Sequence, residues 1–557
     1  MKGQKTIKIS LIVISMLLGA CSNANNGSPS SSAAEKPSSS SVASQSSSSV
    51  APSSSSSSAR PSSSSSSAAP SSSSSSDAKS SSNQNSKSSD SSTSRVEPSS
   101  SSIPVSSSEP SSSVTPSSSE PSSSSTELAF EPFKTTINVK LAASLNKEKS
   151  AAGESYDLEF AYDDEYFLRD AKEYDNDLSM LSFASSVVST NVLTGLSFYG
   201  SAGFTDFTTS GYEKATTVDS IGYMFAHKTV DSAELFAVSV RGFDYQLEWA
   251  DNFLIGESGD HLGFSLRAME IYEALQGYVT SHANGRTIKL WVSGYSRGGA
   301  VSNVLAHYLM TGDLLTIDSA DLFAYTFEAP ACLDVENCLP YENVHNINNA
   351  NDLIPLIPPA QFGLGRCGVD YQIYNEDVAD ILKNFDEGAI IPEFAPIDAD
   401  RPIEKDSDLV AFILDCVFNL QTDDEEMKNW TCNTREEYYN RYQAAFTNTV
   451  GLIFGLSAAT RASILSDVSD LGFGVLSILS DGQSLANFLK TYLDKDQLSY
   501  DEATLVEDCT ALRNAIVYLF LRVLLIYSSD EYRPSLERLI DMHYPETVYV
   551  LLLRAHK

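Results

Sequence analysis

Residues 291–303 read Trp-Val-Ser-Gly-Tyr-Ser-Arg-Gly-Gly-Ala-Val-Ser-Asn. Ahead of this stretch, Ile288, Leu290 and Val292 alternate as a buried strand requires. Beyond it, Ala300, Val304, Leu305, Tyr308 and Leu309 recur at helical spacing. Gly294 and Gly298 flank Ser296 as Gly-x-Ser-x-Gly, the strand-to-helix elbow that exposes a nucleophilic serine. Residues without Cβ let strand and helix pack closely around such a turn. The helix dipole and the backbone N–H of Arg297 would then favour negative charge developing beside the hydroxyl. The pentapeptide alone is a weak signal, and an ordinary tight turn is the competing reading.

A serine hydroxyl needs a base and a group that orients the base. In this architecture the chain order is Ser, then Asp or Glu, then His. Of the seven histidines, His227, His261 and His282 precede Ser296, His307 lies within the following helix, and His345 precedes the best acid. His556 is next to last in the chain. His543 is therefore the candidate base, read as a loop residue between a helix and a final apolar strand over Val548 to Leu553. Asp352 is the candidate acid: it ends the strand-like Tyr341 to Ile347 segment and precedes Ile354-Pro355-Leu356-Ile357-Pro358-Pro359, which restrains the loop. Ordinary turn chemistry at Asn351-Asp352 is the alternative, and Asp370 and Asp334 are weaker acids.

Strand and helix signals alternate from Gly222 to about Tyr374. Gly222 to Ala226, Glu234 to Val240, Ile288 to Val292 and Leu322 to Phe327 read as strands. Ser265 to Thr280 and Arg297 to Met310 read as helices. This alternation predicts an α/β fold with a mainly parallel sheet. From 376 to 530 the patterns are helical, as in Ser466 to Leu479 and Ala511 to Tyr527, so a large helical insertion separates Asp352 from His543. It is expected either to cap the site or to pack elsewhere as a satellite.

The two ends of the chain differ in composition. Residues 1–20 carry Lys2, Lys5 and Lys8, an apolar run from Ile9 to Leu18, then Gly19-Ala20-Cys21, the form of a secretory signal peptide. Leu18-Gly19-Ala20-Cys21 resembles a bacterial lipoprotein box, with Cys21 as the lipidated residue. The expectation is a cell-surface, membrane-anchored protein; an incidental Cys in a soluble secreted protein is the alternative. Residues 21–127 form a Ser-rich linker too poor in apolar side chains to fold. As a flexible coil, about 100 residues span about 50–60 Å. Residues 128–557 have ordinary globular composition.

The formal net charge of −35 argues against nucleic acid as a partner. Cysteines at 332, 338, 367, 416, 432 and 509 lack the spacing of a zinc site. Local pairing of Cys332 with Cys338 and of Cys416 with Cys432 is expected in an oxidising compartment.

Taken in order, several short segments resemble the class 3, fungal-lipase-like lipases of the α/β-hydrolase superfamily. Val240-Arg241-Gly242-Phe243 is similar to that family's Arg-Gly segment, Trp249-Ala250-Asp251 to its Trp/Asp pair, and His261-Leu262-Gly263-Phe264 to its His-x-Gly-Phe. Gly294 to Gly299 is similar to its serine motif, Asn351 to Pro355 to its Asp-x-Val-Pro, and His543 to Tyr549 to its closing His segment. The resemblance implies an oxyanion hole from the backbone N–H groups of Phe243 and Arg297, a lid after Phe243, and a structural His261. Tyr295 and Arg297 stand where the family has His and Leu, which places a charge near the expected mouth. Phe243 replaces a small hydroxyl residue, and the acid and base lie 543 − 352 = 191 residues apart.

These observations predict a surface-anchored serine carboxylester hydrolase acting on lipid or another acyl ester, with Ser296, Asp352 and His543 catalytic and no metal or organic cofactor implied. An esterase on acylated polysaccharide and a non-catalytic surface binding module are the alternatives.

Overall fold

The computed structural model describes residues 130–212, 221–242, 248–373, 378–387, 432–471, 475–528 and 541–556. The expected signal segment, Cys21, the linker, Phe243 and Cys416 lie outside them.

Eleven strands are described: β1 (Lys134–Ala142), β2 (Ser155–Asp163), β3 (Asp206–Ser210), β4 (Tyr223–Val230), β5 (Ala233–Val240), β6 (Thr287–Tyr295), β7 (Leu322–Phe327), β8 (Leu333–Asp334), β9 (Val344–Asn349), β10 (Leu364–Gly365) and β11 (Val369–Ile373). Seven of them form the central sheet in the order β11-β9-β7-β6-β5-β4-β3. Strands β5, β6, β7, β9 and β11 run parallel, while β4 and β3 extend one edge antiparallel. The fold is therefore a mostly parallel α/β sheet with helices on its faces.

Side chains alternate across a strand, and β6 shows where that sends them. Trp291 and Tyr295 join one core with Phe323, Tyr325 and Phe327 of β7. That face is covered by α1 (Asn176–Val188), α2 (Val192–Ser201) and the β1–β2 pair. Leu290 and Val292 point the other way, into a core with α3 (Leu262–His282) and α4 (Arg297–Thr311). Both faces of the sheet are dry, so its central strands read as near-continuous apolar runs.

Helices α5 (Val378–Asp386), α6 (Ala444–Gly455), α7 (Ala458–Leu471), α8 (Gly482–Lys495) and α9 (Glu502–Ser528) belong to the inserted region. Of the expected helix over Ser466 to Leu479, the part to Leu471 lies in α7 and Val475–Ile478 is helical, while residues 472–474 lie outside the described residues. The insertion builds a third core, in which Phe446, Leu485, Leu489 and Leu505 meet Ile255, Ala331 and Phe362 of the sheet domain. Arg435 ties it down by donating to the carbonyls of Ile255, Gly256 and Asp260.

The run Val548 to Leu553 is not a strand. It lies in α10 (Pro545–His556), with Pro at its first position and Glu546 in its first turn. Val548, Val550, Leu551 and Leu552 are all buried, and Tyr549 packs on Phe160, Phe183 and Phe385. A continuously apolar run fits a buried helix as well as a buried strand.

The Cys332–Cys338 disulfide is not formed. Cys338 instead lies beside Cys367, which follows β10. The neighbouring Cys338 thiol, against the opposing effect of burial and with help from His307, lowers the Cys367 thiol to about 6. Among the described residues no helix is long and apolar enough to cross a membrane.

Candidate active site

Strand β6 ends at Tyr295 and α4 begins at Arg297, so Ser296 alone makes the turn between them. Its backbone is left-handed, at φ 53° and ψ −125°. A non-glycine residue there stores about 1–3 kcal/mol of strain that its surroundings must offset. The Ser296 N–H donates to the Phe327 carbonyl at 2.7 Å, and the Ser296 carbonyl accepts from Ala300 N–H at 3.1 Å. The flanking glycines are required sterically. A Cβ on Gly294 would lie 2.2 Å from the Gly298 oxygen, and one on Gly298 would lie 2.4 Å from the Val240 oxygen.

The half-buried Ser296 hydroxyl lies 2.8 Å from His543 Nε2. His543 Nδ1 hydrogen-bonds Asp352 Oδ2. The structure thus joins Ser296, His543 and Asp352, distant in sequence, in one hydrogen-bonded chain. His543 precedes α10 within a short helical turn, Asp541–His543. Its backbone is fixed from two sides: Tyr295 Oη donates to the His543 carbonyl at 2.8 Å, and Asn349 Nδ2 donates to the Met542 carbonyl at 3.0 Å. Asp352 follows β9 and is fully buried. Its Oδ1 accepts the Ile354 N–H at 2.9 Å, and its own N–H donates to the Asn349 carbonyl at 2.9 Å. Strand ends and a short turn, rather than long loops, therefore hold all three groups. Asp370 and Asp334 stand elsewhere: Asp370 pairs with Arg366, and Asp334 lies on β8.

Arg297 departs from the sequence expectation. Its side chain is 2% exposed and does not line a mouth. The guanidinium turns inward to Asp251 Oδ2 at 3.1 Å, and Arg267 Nε meets the same oxygen at 3.3 Å. The Arg297 amide stands at the first position of α4, at the positive end of the helix dipole. Phe243 lies outside the described residues, but its neighbour Gly242 packs so close to the elbow that a Cβ would fall 1.6 Å from the Tyr295 oxygen.

His261 caps α3, stacks on Phe264 at 3.8 Å, and stands apart from the serine group. Burial lowers its pKa to about 3, leaving it neutral.

Sequence reasoning missed Glu328. This residue follows β7 with φ 50°, is fully buried, and accepts the Asn349 N–H at 2.8 Å. Burial first, then the neighbouring Asp352 carboxylate, pushes its carboxyl well above the ordinary range. An acidic residue directly after a largely apolar parallel strand is the signal the sequence offers.

A profile of the family described as Lipase (class 3) matches residues 233–362, so over that segment the chain is similar to lipase-type hydrolases. No curated protein matches the chain. Among solved structures, a triacylglycerol lipase whose catalytic centre is described as a serine protease triad aligns at 21% identity, over 36% of this chain and 82% of its own, with a TM-score of 0.29. The Rhizomucor miehei lipase propeptide complex aligns at 21% identity over 36% and 68%, with a TM-score of 0.28. Lipase II from Rhizopus niveus aligns at 18% identity over 38% and 80%, with a TM-score of 0.25.

Proposed function

We propose that the chain is a serine carboxylester hydrolase of lipase type, held at a bacterial cell surface by a lipidated Cys21 and the Ser-rich linker. The observation that carries the reading is the Ser296–His543–Asp352 chain, with 2.8 Å between the hydroxyl and the imidazole. The class 3 lipase profile over residues 233–362 supports the ester hydrolase class.

In this mechanism His543 takes the Ser296 proton as the oxygen attacks the ester carbonyl, then returns it to the departing alcohol. Asp352 holds the tautomer in which His543 Nδ1 carries the hydrogen, leaving Nε2 as the base. The backbone N–H groups of Arg297 and Phe243 stabilise the tetrahedral oxyanion. Water then releases the acyl group by the same route. The inward turn of Arg297 removes the charge expected near the mouth, which supports an acyl substrate without a complementary anion. The described part of the insertion packs on Ile255, Ala331 and Phe362, and Ala331 follows the carboxyl end of β7 closely, which supports a cap over the acyl site.

The test is labelling of the full chain by a fluorophosphonate probe. Labelling of wild type and its loss in Ser296→Ala and His543→Ala are expected; an unlabelled, folded wild type would overturn the proposal. A series of nitrophenyl esters with emulsified triglyceride then assigns the acyl length. Activity confined to short acyl chains would replace the lipase by an esterase. Metabolic labelling with a fatty-acid probe, lost in Cys21→Ser, tests the anchor.

A further inference from the structure

A second group of chemistry-bearing side chains lies at the antiparallel edge of the sheet. Asp206 on β3, His227 on β4 and His282 at the end of α3 each offer one ligand atom, all within 4.8 Å of one another. Strand pairing sets Asp206 opposite His227, and the two imidazoles face each other with ring centroids 5.0 Å apart.

The hydrogen bonds around these rings leave one nitrogen of each to carry the lone pair. His227 Nε2 donates to Glu234 Oε2 at 2.9 Å, which fixes the tautomer and makes Nδ1 the lone-pair nitrogen. That Nδ1 is buried, has no hydrogen-bond partner, and lies 4.0 Å from Asp206 Oδ2. His227 itself is 8% exposed. A buried polar atom without a partner costs free energy unless something fills its place. His282 Nδ1 donates to the Tyr278 carbonyl at 2.8 Å, so its Nε2 carries the lone pair. Tyr278 Oη also donates to the Asp206 backbone carbonyl at 3.1 Å, so one residue steadies two of the three ligand-bearing segments. Glu234 is held in turn by Thr229 at 2.8 Å and Arg286 at 3.5 Å. Carboxylate-to-imidazole and carbonyl-to-imidazole bonds of this kind are the usual outer support of metal-binding histidines.

We propose that Asp206, His227 and His282 bind a divalent transition-metal ion of the zinc class, which clamps the edge strand β3 to β4 and to the end of α3. Two imidazole nitrogens and one carboxylate oxygen suit zinc better than calcium or magnesium, which take oxygen ligands. Tetrahedral ligation at about 2.0–2.1 Å sets ligand atoms roughly 3.3 Å apart. The Asp206 side chain, 59% exposed, is free to close the remaining gap, and water completes the fourth position. The ion takes no part in ester hydrolysis. His227 pairs with Phe236, and Phe236 with Leu290, six residues before Ser296 on β6 and so about 20 Å along the strand. The clamp acts on β3 because that strand is the exposed edge of the sheet.

The test is titration of the chelator-treated full chain with Zn2+ against a chromophoric competitor, with Co2+ as the spectroscopic probe and Ca2+ as control. Glu328, Asp352 and His543 also converge within reach of one ion, so variants assign the site. The expected result is a zinc affinity that falls at least about tenfold in Asp206→Asn and in His282→Ala, and about 10–100-fold in Glu234→Gln, where only the outer support is lost. Zn2+ should raise Tm by several degrees in wild type but not in His282→Ala, with fluorophosphonate labelling of Ser296 unchanged in both. Asp206 and His282 are partly exposed, so their variants should fold even if His227→Ala does not. Equal zinc affinity in wild type and both variants, a thiolate-to-cobalt charge-transfer band, or no binding would overturn the proposal.

Discussion

Glu328 and Asp352 lie buried side by side, with carboxyl oxygens within 4.8 Å of each other. Two carboxylates so placed cannot both ionise cheaply, and burial together with the Asp352 charge raises the Glu328 carboxyl well above its ordinary range. Because its folded pKa is raised, its contribution to stability is fully present below the unfolded value of about 4.3 and is lost as pH rises towards the folded value. Glu328→Gln keeps an acceptor for the Asn349 N–H and a donor towards Asp352 without the titration. It should flatten the decline of urea midpoint with rising pH and keep kcat within about tenfold. Glu328→Leu strands the Asn349 N–H and should cost about 1–3 kcal/mol. A pH slope identical in wild type and Glu328→Gln would refute the assignment.

Arg297 and Asp251 are a buried ion pair, and removing one partner of such a pair typically costs about 3–5 kcal/mol. Asp251→Ala should lose stability on that scale, since Arg267 is left facing Arg297. The Arg297 head group faces inward, so Arg297→Met should shift the midpoint of denaturation and leave the preference among acyl chain lengths unchanged. A changed chain-length profile in a folded Arg297→Met variant would place the side chain in the substrate path.

Gly298→Ala inserts a Cβ 2.4 Å from the Val240 carbonyl, against backbone that cannot give way. The expected cost is about 3 kcal/mol, with loss of probe labelling at Ser296. Gly285→Ala is the control: a Cβ there meets nothing within 4 Å, although φ of 73° adds backbone strain. Equal melting temperatures for the two variants would contradict the packing at the elbow.

Burial holds His261 at about 3 and His345 at about 4. Both folded values lie below the unfolded value of about 6.5, so the unfolded chain takes up protons first as pH falls. Stability from these residues is present above about pH 6.5 and is lost as pH drops through the folded values. His345→Gln should therefore show a shallower loss between pH 6.5 and 4 than wild type, by chemical denaturation at each pH. A steeper loss would mean that His345 is charged in the folded chain.

Where an element was decided by its own neighbours, it was legible in sequence. Leu322 to Phe327 is a strand to the residue, and the serine turn falls between strand and helix as the alternation before it and the helical spacing after it imply. The errors have specific causes. Val548 to Leu553 was read as a strand because a run buried on every side has no period to distinguish helix from strand. Cys332 and Cys338 are close in sequence but unbridged, and the fold brings Cys367 beside Cys338. Glu328 is not singled out in sequence because its neighbour Asp352 is 24 residues away (352 − 328), beyond the end of the next strand of the sheet.

The sequence by itself determined the parallel α/β class, the sharp turn at Ser296, and the small set of acids and bases eligible to serve it. Backbone dihedral preference, side-chain periodicity and chain order are carried by adjacent residues and need no knowledge of distant ones. Only the tertiary structure decided that Arg297 turns inward to Asp251, that Glu328 lies buried beside Asp352, and that His227 and His282 meet at the sheet edge. Those outcomes depend on which charges and lone pairs meet in a medium of low dielectric. That is settled by the packing of segments far apart in the chain, not by any stretch of it.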